Sequence, residues 1–149
     1  MIRFQREDIS PDVIEEIRPL AEVHFNELDP FPEIEPNLSA AFYRLNSEYV
    51  RLFTVRDEGK LIGYAVFAVT KHPHYVDSIQ ATQDLFFIEP GERKAGWKGL
   101  KFIRWCDEEL RGEGVEVVYH FSSRRRPLTP LLIRAGYHRI QDLYARRLS

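Results

Sequence analysis

The chain has 149 residues, 44% apolar, 30% charged and 13% aromatic, and its formal net charge is −2. A single domain over 1–149 is expected, long enough to close one core, and disordered or fibrous architectures are excluded. The longest apolar runs, such as 65–69 and 85–88, fall far short of the roughly 18–20 residues a membrane span needs. No basic segment followed by an apolar stretch opens the sequence, and Cys106 is its only cysteine, so a cytoplasmic protein is expected.

Residues 2–7 alternate around Ile2 and Phe4 as a first strand. Ser10-Pro11-Asp12 then supplies an N-cap, a first-turn proline and a first-turn acid. The helix it opens carries Ile14, Ile17, Leu20, Ala21 and Leu28 at helical spacing; Pro19 should kink or divide it, and Asp29-Pro30-Phe31-Pro32 should end it. A second helix is expected from Asn37 or Ser39 through Tyr49. Residues 52–56 and 61–69 form a hairpin about Asp57-Glu58-Gly59-Lys60. Next come a strand over 81–88, an amphipathic helix through Trp97, Leu100, Ile103, Cys106 and Leu110, and a strand over 115–121. A short helix over 128–135 and one or two strands over 137–148 complete the order β-α-α-β-β-β-α-β-α-β.

Charge is spread unevenly along this order. Residues 1–40 hold ten acids against three arginines, and residues 121–149 hold seven arginines against one acid. Either separate acidic and basic ligand surfaces or a dipolar monomer whose ends pack together accounts for this. The helix that starts near Gly96 is charged against its own dipole, with Arg93, Lys94, Lys98 and Lys101 around its start and Asp107, Glu108 and Glu109 at its end. Each misplacement costs about 0.3–1 kcal/mol at an exposed site. A bound polyanion, phosphate above all, offsets that cost, because free N–H groups, the dipole and the cations all point at it. Solvated lysines on a polar helix face are the plain alternative. The stretch from Phe87-Ile88 through Glu89-Pro90-Gly91 to Arg93-Lys94-Ala95-Gly96-Trp97-Lys98-Gly99 runs strand, tight loop, helix, the layout of a phosphate cradle.

This loop and the order of elements resemble the GCN5-related N-acetyltransferases, the GNAT family, whose phosphate loop reads Arg or Gln, two residues, Gly, one residue, Gly or Ala. Arg93 and Gly96 match, Lys98 stands at the last small position, and Gly99 follows it. The stretch from His74-Tyr75 through Gln83-Asp84-Leu85 and the ending from Gly136 to Leu148 are similar to a phage and prophage subgroup. The resemblance implies an α/β fold of the α+β type: a mixed, mostly antiparallel central sheet with helices on both faces. It also implies acetyl-CoA as co-substrate. The pantetheine arm would pair with the backbone of Phe87 and Ile88, where the fourth and fifth strands splay. The cofactor-binding residues would be those two with Arg93, Lys94, Ala95, Gly96, Trp97, Lys98 and Gly99. A neutral primary amine would attack the acyl carbonyl directly.

Such a reaction needs a base for the ammonium and a donor for the departing thiolate. Asp84 is the expected base, on a β-run beside apolar neighbours where desolvation strengthens it; pairing with an arginine is the alternative. His120 in the fifth strand is a second candidate, since imidazole titrates near neutrality. Leu132 stands where the family often has a tyrosine acid, so either Ser122, Ser123 or Tyr144 substitutes, or the thiolate leaves unaided, or the protein is a poor catalyst. His74 and Tyr75 are expected to contact the acceptor, and the acids Glu15, Glu16 and Glu22 to border its entrance. Cys106 reads as core, and no metal is expected. The expected partners are a small-molecule or protein amine acceptor and no membrane. Balanced net charge argues against nucleic acid despite Arg124-Arg125-Arg126, and a homodimer is left open. The function alternatives are a GNAT-fold protein that binds CoA or a partner without transfer, and a nucleic-acid-directed protein.

Overall fold

The computed structural model describes residues 1–28, 31–94 and 96–149. In chain order it contains β1 (Ile2–Glu7), α1 (Pro11–Leu28), α2 (Ala40–Leu45), β2 (Val50–Asp57), β3 (Lys60–Lys71), β4 (Ile79–Ile88), α3 (Trp97–Gly112), β5 (Val117–Tyr119) and α4 (Thr129–Arg134), with a 3₁₀ turn at Pro90–Glu92. The strands form one sheet in the order β1-β2-β3-β4-β5, antiparallel throughout except for the parallel pair β4–β5. Helices α3 and α4 cover one face around Phe53, Phe67, Phe102, Ile103 and Cys106, while α1 and α2 cover the other around Ile14, Ile17, Leu52, Tyr64 and Phe87. The expected α+β sheet with helices on both faces is therefore the observed one.

Local chemistry explains most of the elements. The Ser10 hydroxyl accepts the Val13 N–H at 3.3 Å, so Ser10 caps α1 with Pro11 in the first turn. Between β2 and β3 both loop residues, Glu58 and Gly59, have positive φ, the geometry of a two-residue hairpin whose twist matches its strands. β3 is buried without a break from Leu61 to Phe67, because it is central and covered on both faces. At the end of α3, Gly114 is left-handed and the Val115 N–H returns to the Leu110 carbonyl at 3.1 Å, a glycine-terminated cap.

Four expectations are corrected. Pro19 does not divide α1, which is continuous from Pro11 to Leu28; the proline lies on the exposed face, where water can take the carbonyl it orphans. α2 stops at Leu45 rather than reaching Tyr49, because the Asn46 side chain and its backbone N–H both turn back to the Phe42 carbonyl. β5 is only Val117–Tyr119, so His120 follows the strand instead of sitting at its centre. Among the described residues, 137–149 form no strand. Ile140, Leu143, Tyr144 and Leu148 are each more than half exposed, so no buried face fixes a register there. The expected stop at Asp29-Pro30 lies outside the described residues.

Gly63 of β3 faces Ile88 of β4, and a Cβ built on it would stand 2.7 Å from the Phe87 carbonyl oxygen and 3.1 Å from the Ile88 side chain. Both obstacles belong to the strand that ends at the candidate site. Gly63→Ala is expected to lower the unfolding free energy by about 1–3 kcal/mol, the usual range for overpacking, as measured by urea denaturation.

Candidate active site

β4 and β5 share a ladder only over Gln80–Thr82 and Val117–Tyr119. β4 then runs on through Ile88 without a β5 partner, so the two strands part into a fork. The Gln83 side chain sits at the point of parting: its Oε1 accepts the His120 Nδ1–H at 2.9 Å and the Phe121 N–H at 3.3 Å. A buried amide thus takes the bonds that the next rung of the sheet would have made. His120 packs edge-on against Phe67, Phe86 and Tyr137, and its buried Nε2 has no hydrogen-bond partner among the described residues. Burial pushes its pKa down to about 4, which makes it a neutral imidazole at pH 7.

The basic loop lies at the far end of β4. Gly96 is left-handed (φ 70°) and opens α3, and among the described residues no group accepts from the first-turn N–H groups of Trp97, Lys98 and Gly99. A Cβ on Gly99 would stand 2.7 Å from Leu131, so the glycine lets α3 close on α4. Ala95 lies outside the described residues. The inverted charges are offset from within. The Arg93 guanidinium makes a double contact with the Glu27 carboxylate at 3.0 and 3.2 Å, while its Nε donates to the Ile88 carbonyl at 2.6 Å. Lys98 pairs with Glu92, and Lys101 lies 5.0 Å over the Trp97 ring. Lys94 is exposed. Of the strand end expected to meet pantetheine, the Phe87 carbonyl faces Gly63 of β3, whereas the Ile88 carbonyl is the one engaged by Arg93.

Asp84 is the extra residue of a β-bulge: Val66 pairs with Leu85 and Phe67 with Gln83, so Asp84 has no opposite number. The bulge turns Asp84 and Leu85 to the same face, that of α1 and α2, where Leu85 packs in the core and the Tyr43 hydroxyl donates to Asp84 Oδ2 at 2.6 Å. The expected desolvation of Asp84 is not observed, since the residue is exposed, and its partner is a tyrosine and not an arginine. Ser122 Oγ accepts the Leu128 and Thr129 N–H groups at 2.9 and 3.1 Å and bonds Thr129 Oγ1, which makes it a tie at the start of α4. Leu132 is core, and Tyr144 is 88% exposed. His74 and Tyr75 lie in the loop between β3 and β4, at the end of β4 opposite Gly96; with nine residue steps along the strand the separation is about 30 Å. Among the described residues no hydrogen bond or ring contact joins either of them to Asp84; the His74 N–H and the Tyr75 ring both meet His72.

The acidic and basic ends of the chain do meet. Arg126 Nε lies 3.6 Å from Glu27, and Arg147 lies 2.9 Å from Glu33, as a dipolar chain closing on itself requires. Glu15 pairs with Arg18 and Glu16 with Arg56, which leaves Glu22 of the three acids assigned to an acceptor entrance. Sequence reasoning missed Tyr43, Gln83 and Glu27. Glu27 carried a signal, an acid in the last turn of α1 where the dipole disfavours one. Gln83 carried another, a polar side chain that strand alternation places on the face of Ala81. Tyr43 carried none.

One buried and one half-buried histidine set an acid-side limit on stability. Burial lowers the pKa of His24, which bonds Tyr64 through Nδ1 at 3.1 Å and stacks on Phe87, to about 4, as it does for His120. Both folded values lie below the ordinary value of 6.5, so between pH 6.5 and 4 the unfolded chain binds protons that the folded chain refuses. Stability is expected to be flat above that window and to fall through it by up to about 1.4 kcal/mol per pH unit for each histidine. Urea titrations at pH 7, 5.5 and 4.5 read this directly; equal midpoints at all three would contradict it.

No protein-family profile and no curated protein matches the chain in sequence. Solved structures do match its fold. A predicted acetyltransferase of Clostridium acetobutylicum solved with acetyl-CoA superposes with a TM-score of 0.72 at 13% identity, covering 99% of this chain and 96% of that one. The ribosomal-protein-alanine N-acetyltransferase of Brucella melitensis biovar Abortus gives 0.73 at 12% identity, covering 99% of each chain. An aminoglycoside acetyltransferase from an uncultured soil metagenomic sample gives 0.77 at 15% identity, covering 99% and 97%. The chain has the GNAT acetyltransferase fold.

Proposed function

We propose that this chain is an acetyl-CoA-dependent N-acetyltransferase acting on a primary amine of a small molecule or protein. The observation that carries the reading is the fork of β4 and β5, which leads to a left-handed glycine and a basic loop at the start of α3, in a fold shared with acetyltransferases. The first-turn N–H groups from Trp97 to Gly99 would receive the pyrophosphate, with Lys94 beside them. The open edge of β4 near Ile88 would hold the pantetheine arm, which must displace Arg93 from the Ile88 carbonyl. Asp84 would remove the ammonium proton, directly or through water, on the face of β4 that α2 covers. The amine nitrogen then forms its bond to the acyl carbon as the carbon–sulfur bond breaks, the electron pair leaves with sulfur as CoA thiolate, and the proton that the acylated nitrogen loses is taken up, through water, by that thiolate.

The core position of Leu132 favours a second reading, a GNAT-fold module that binds CoA or a partner without transfer, because no tyrosine stands there to protonate the thiolate. A thiol-release screen over varied amines separates the two readings.

Gly96→Asp should abolish CoA binding in calorimetry, by strain at positive φ and by repulsion; unchanged affinity would remove the site. Glu92→Gln should tighten CoA binding about two- to five-fold, since it frees Lys98 from a competing carboxylate. Asp84→Asn should leave CoA affinity unchanged and slow transfer by roughly 10²- to 10⁴-fold at neutral pH, with partial recovery at high pH where free amine is abundant.

A further inference from the structure

We infer that Tyr43 is the positioning residue of this site, and that its hydroxyl fixes the Asp84 carboxylate and leaves one oxygen open toward the acceptor. The inference rests on the reading of Asp84 as base. Its own ground is geometric. Asp84 is the unpaired residue of the β4 bulge, so no cross-strand neighbour orients its side chain. The only partner found for its carboxylate among the described residues is the Tyr43 hydroxyl, at 2.6 Å on Oδ2. That distance is the range of a charge-assisted hydrogen bond.

Tyr43 is itself held from several sides. Its helix begins at Ser39, whose hydroxyl accepts the Phe42 N–H at 3.1 Å. The residue before that cap, Leu38, is buried, and its carbonyl accepts from Arg18 of α1 at 3.3 Å. The Tyr43 ring packs in the core cluster that also contains Leu85, the neighbour of Asp84, and stands edge-on to Phe42 at 5.4 Å. A tyrosine is suited to this place because a rigid ring carries the donor across an apolar layer to a strand from which α2 is separated by 33 residues of chain. Burial and the Asp84 contact both raise the pKa of the phenol, so it remains a donor at any pH where the protein is folded and active.

The test does not need the natural acceptor. With aspartate labelled at the carboxyl carbon, the Asp84 signal is assigned by its loss in Asp84→Asn, and its chemical shift at pH 7 is compared by NMR in the wild type and in Tyr43→Phe, which keeps the ring and removes only the hydroxyl. The signal should move in Tyr43→Phe, as loss of a hydrogen bond to the carboxylate requires. An unmoved signal overturns the inference. A double-mutant cycle read by urea denaturation is the independent measurement: the stability losses of Tyr43→Phe and Asp84→Asn should fail to add in the double variant, and additive losses again count against the pair. Thiol release with the best amine of the screen reads the base separately. If Asp84→Asn transfers as fast as wild type, the base reading fails while the NMR result still decides the role of Tyr43; if Asp84→Asn is slow, Tyr43→Phe should lower kcat and leave CoA affinity unchanged.

Discussion

A single side-chain amide decides the shape of the working end of this molecule. Gln83 accepts from both His120 and Phe121, and in doing so replaces the next rung of the β4–β5 ladder with a side chain. Beyond that point the parallel strands share no hydrogen bonds, β4 keeps an open edge, and a ligand backbone can take the place of a missing strand. The amide is affordable there only because both donors reach it; a half-satisfied polar group at the same depth would cost about 1–3 kcal/mol. His120 is the second half of the device. Held neutral by burial, it fills the notch of the fork with an aromatic edge and brings no charge into it.

The bulge at Asp84 follows one residue later, and the two irregularities work together. Gln83 points to the face of α3 and α4, Asp84 to the face of α1 and α2, so adjacent residues address the fork and the opposite surface of the sheet. Without the bulge Leu85 would exchange faces and the apolar layer under α2 would lose a member. Strand irregularity, aromatic support from α2 and an exposed carboxylate are thus consequences of one extra residue in β4.

The frame of the fold was legible in the sequence because it rests on local signals. Ser10-Pro11, Ser39, Glu58-Gly59, Gly96 and Gly114 each announce a cap or turn whose geometry the chain adopts. The basic loop was legible for the same reason. What sequence did not disclose was pairing over distance. The ionic partner of Arg93 does not lie nearby in the sequence: the cation is answered by Glu27, 66 residues away, and no periodicity connects the two. Asp84 was legible as a residue and not as an environment, since its exposure depends on a one-residue slip against β3. The tail from 137 onward was misjudged because alternation alone cannot supply the buried face that makes a strand.

Glu27 touches arginines from both arms of the fork: Arg93, which follows β4, and Arg126, which follows β5. One carboxylate therefore serves as shared counter-ion for two cations that would otherwise repel across the gap. The contact with Arg93 is short and double, and that with Arg126 is a single one at 3.6 Å, so spreading of the arms loads the Arg126 side first. Dissolved salt therefore screens the half-exposed Arg126 contact before the double one with Arg93, and the shared carboxylate holds its two cations with unequal firmness.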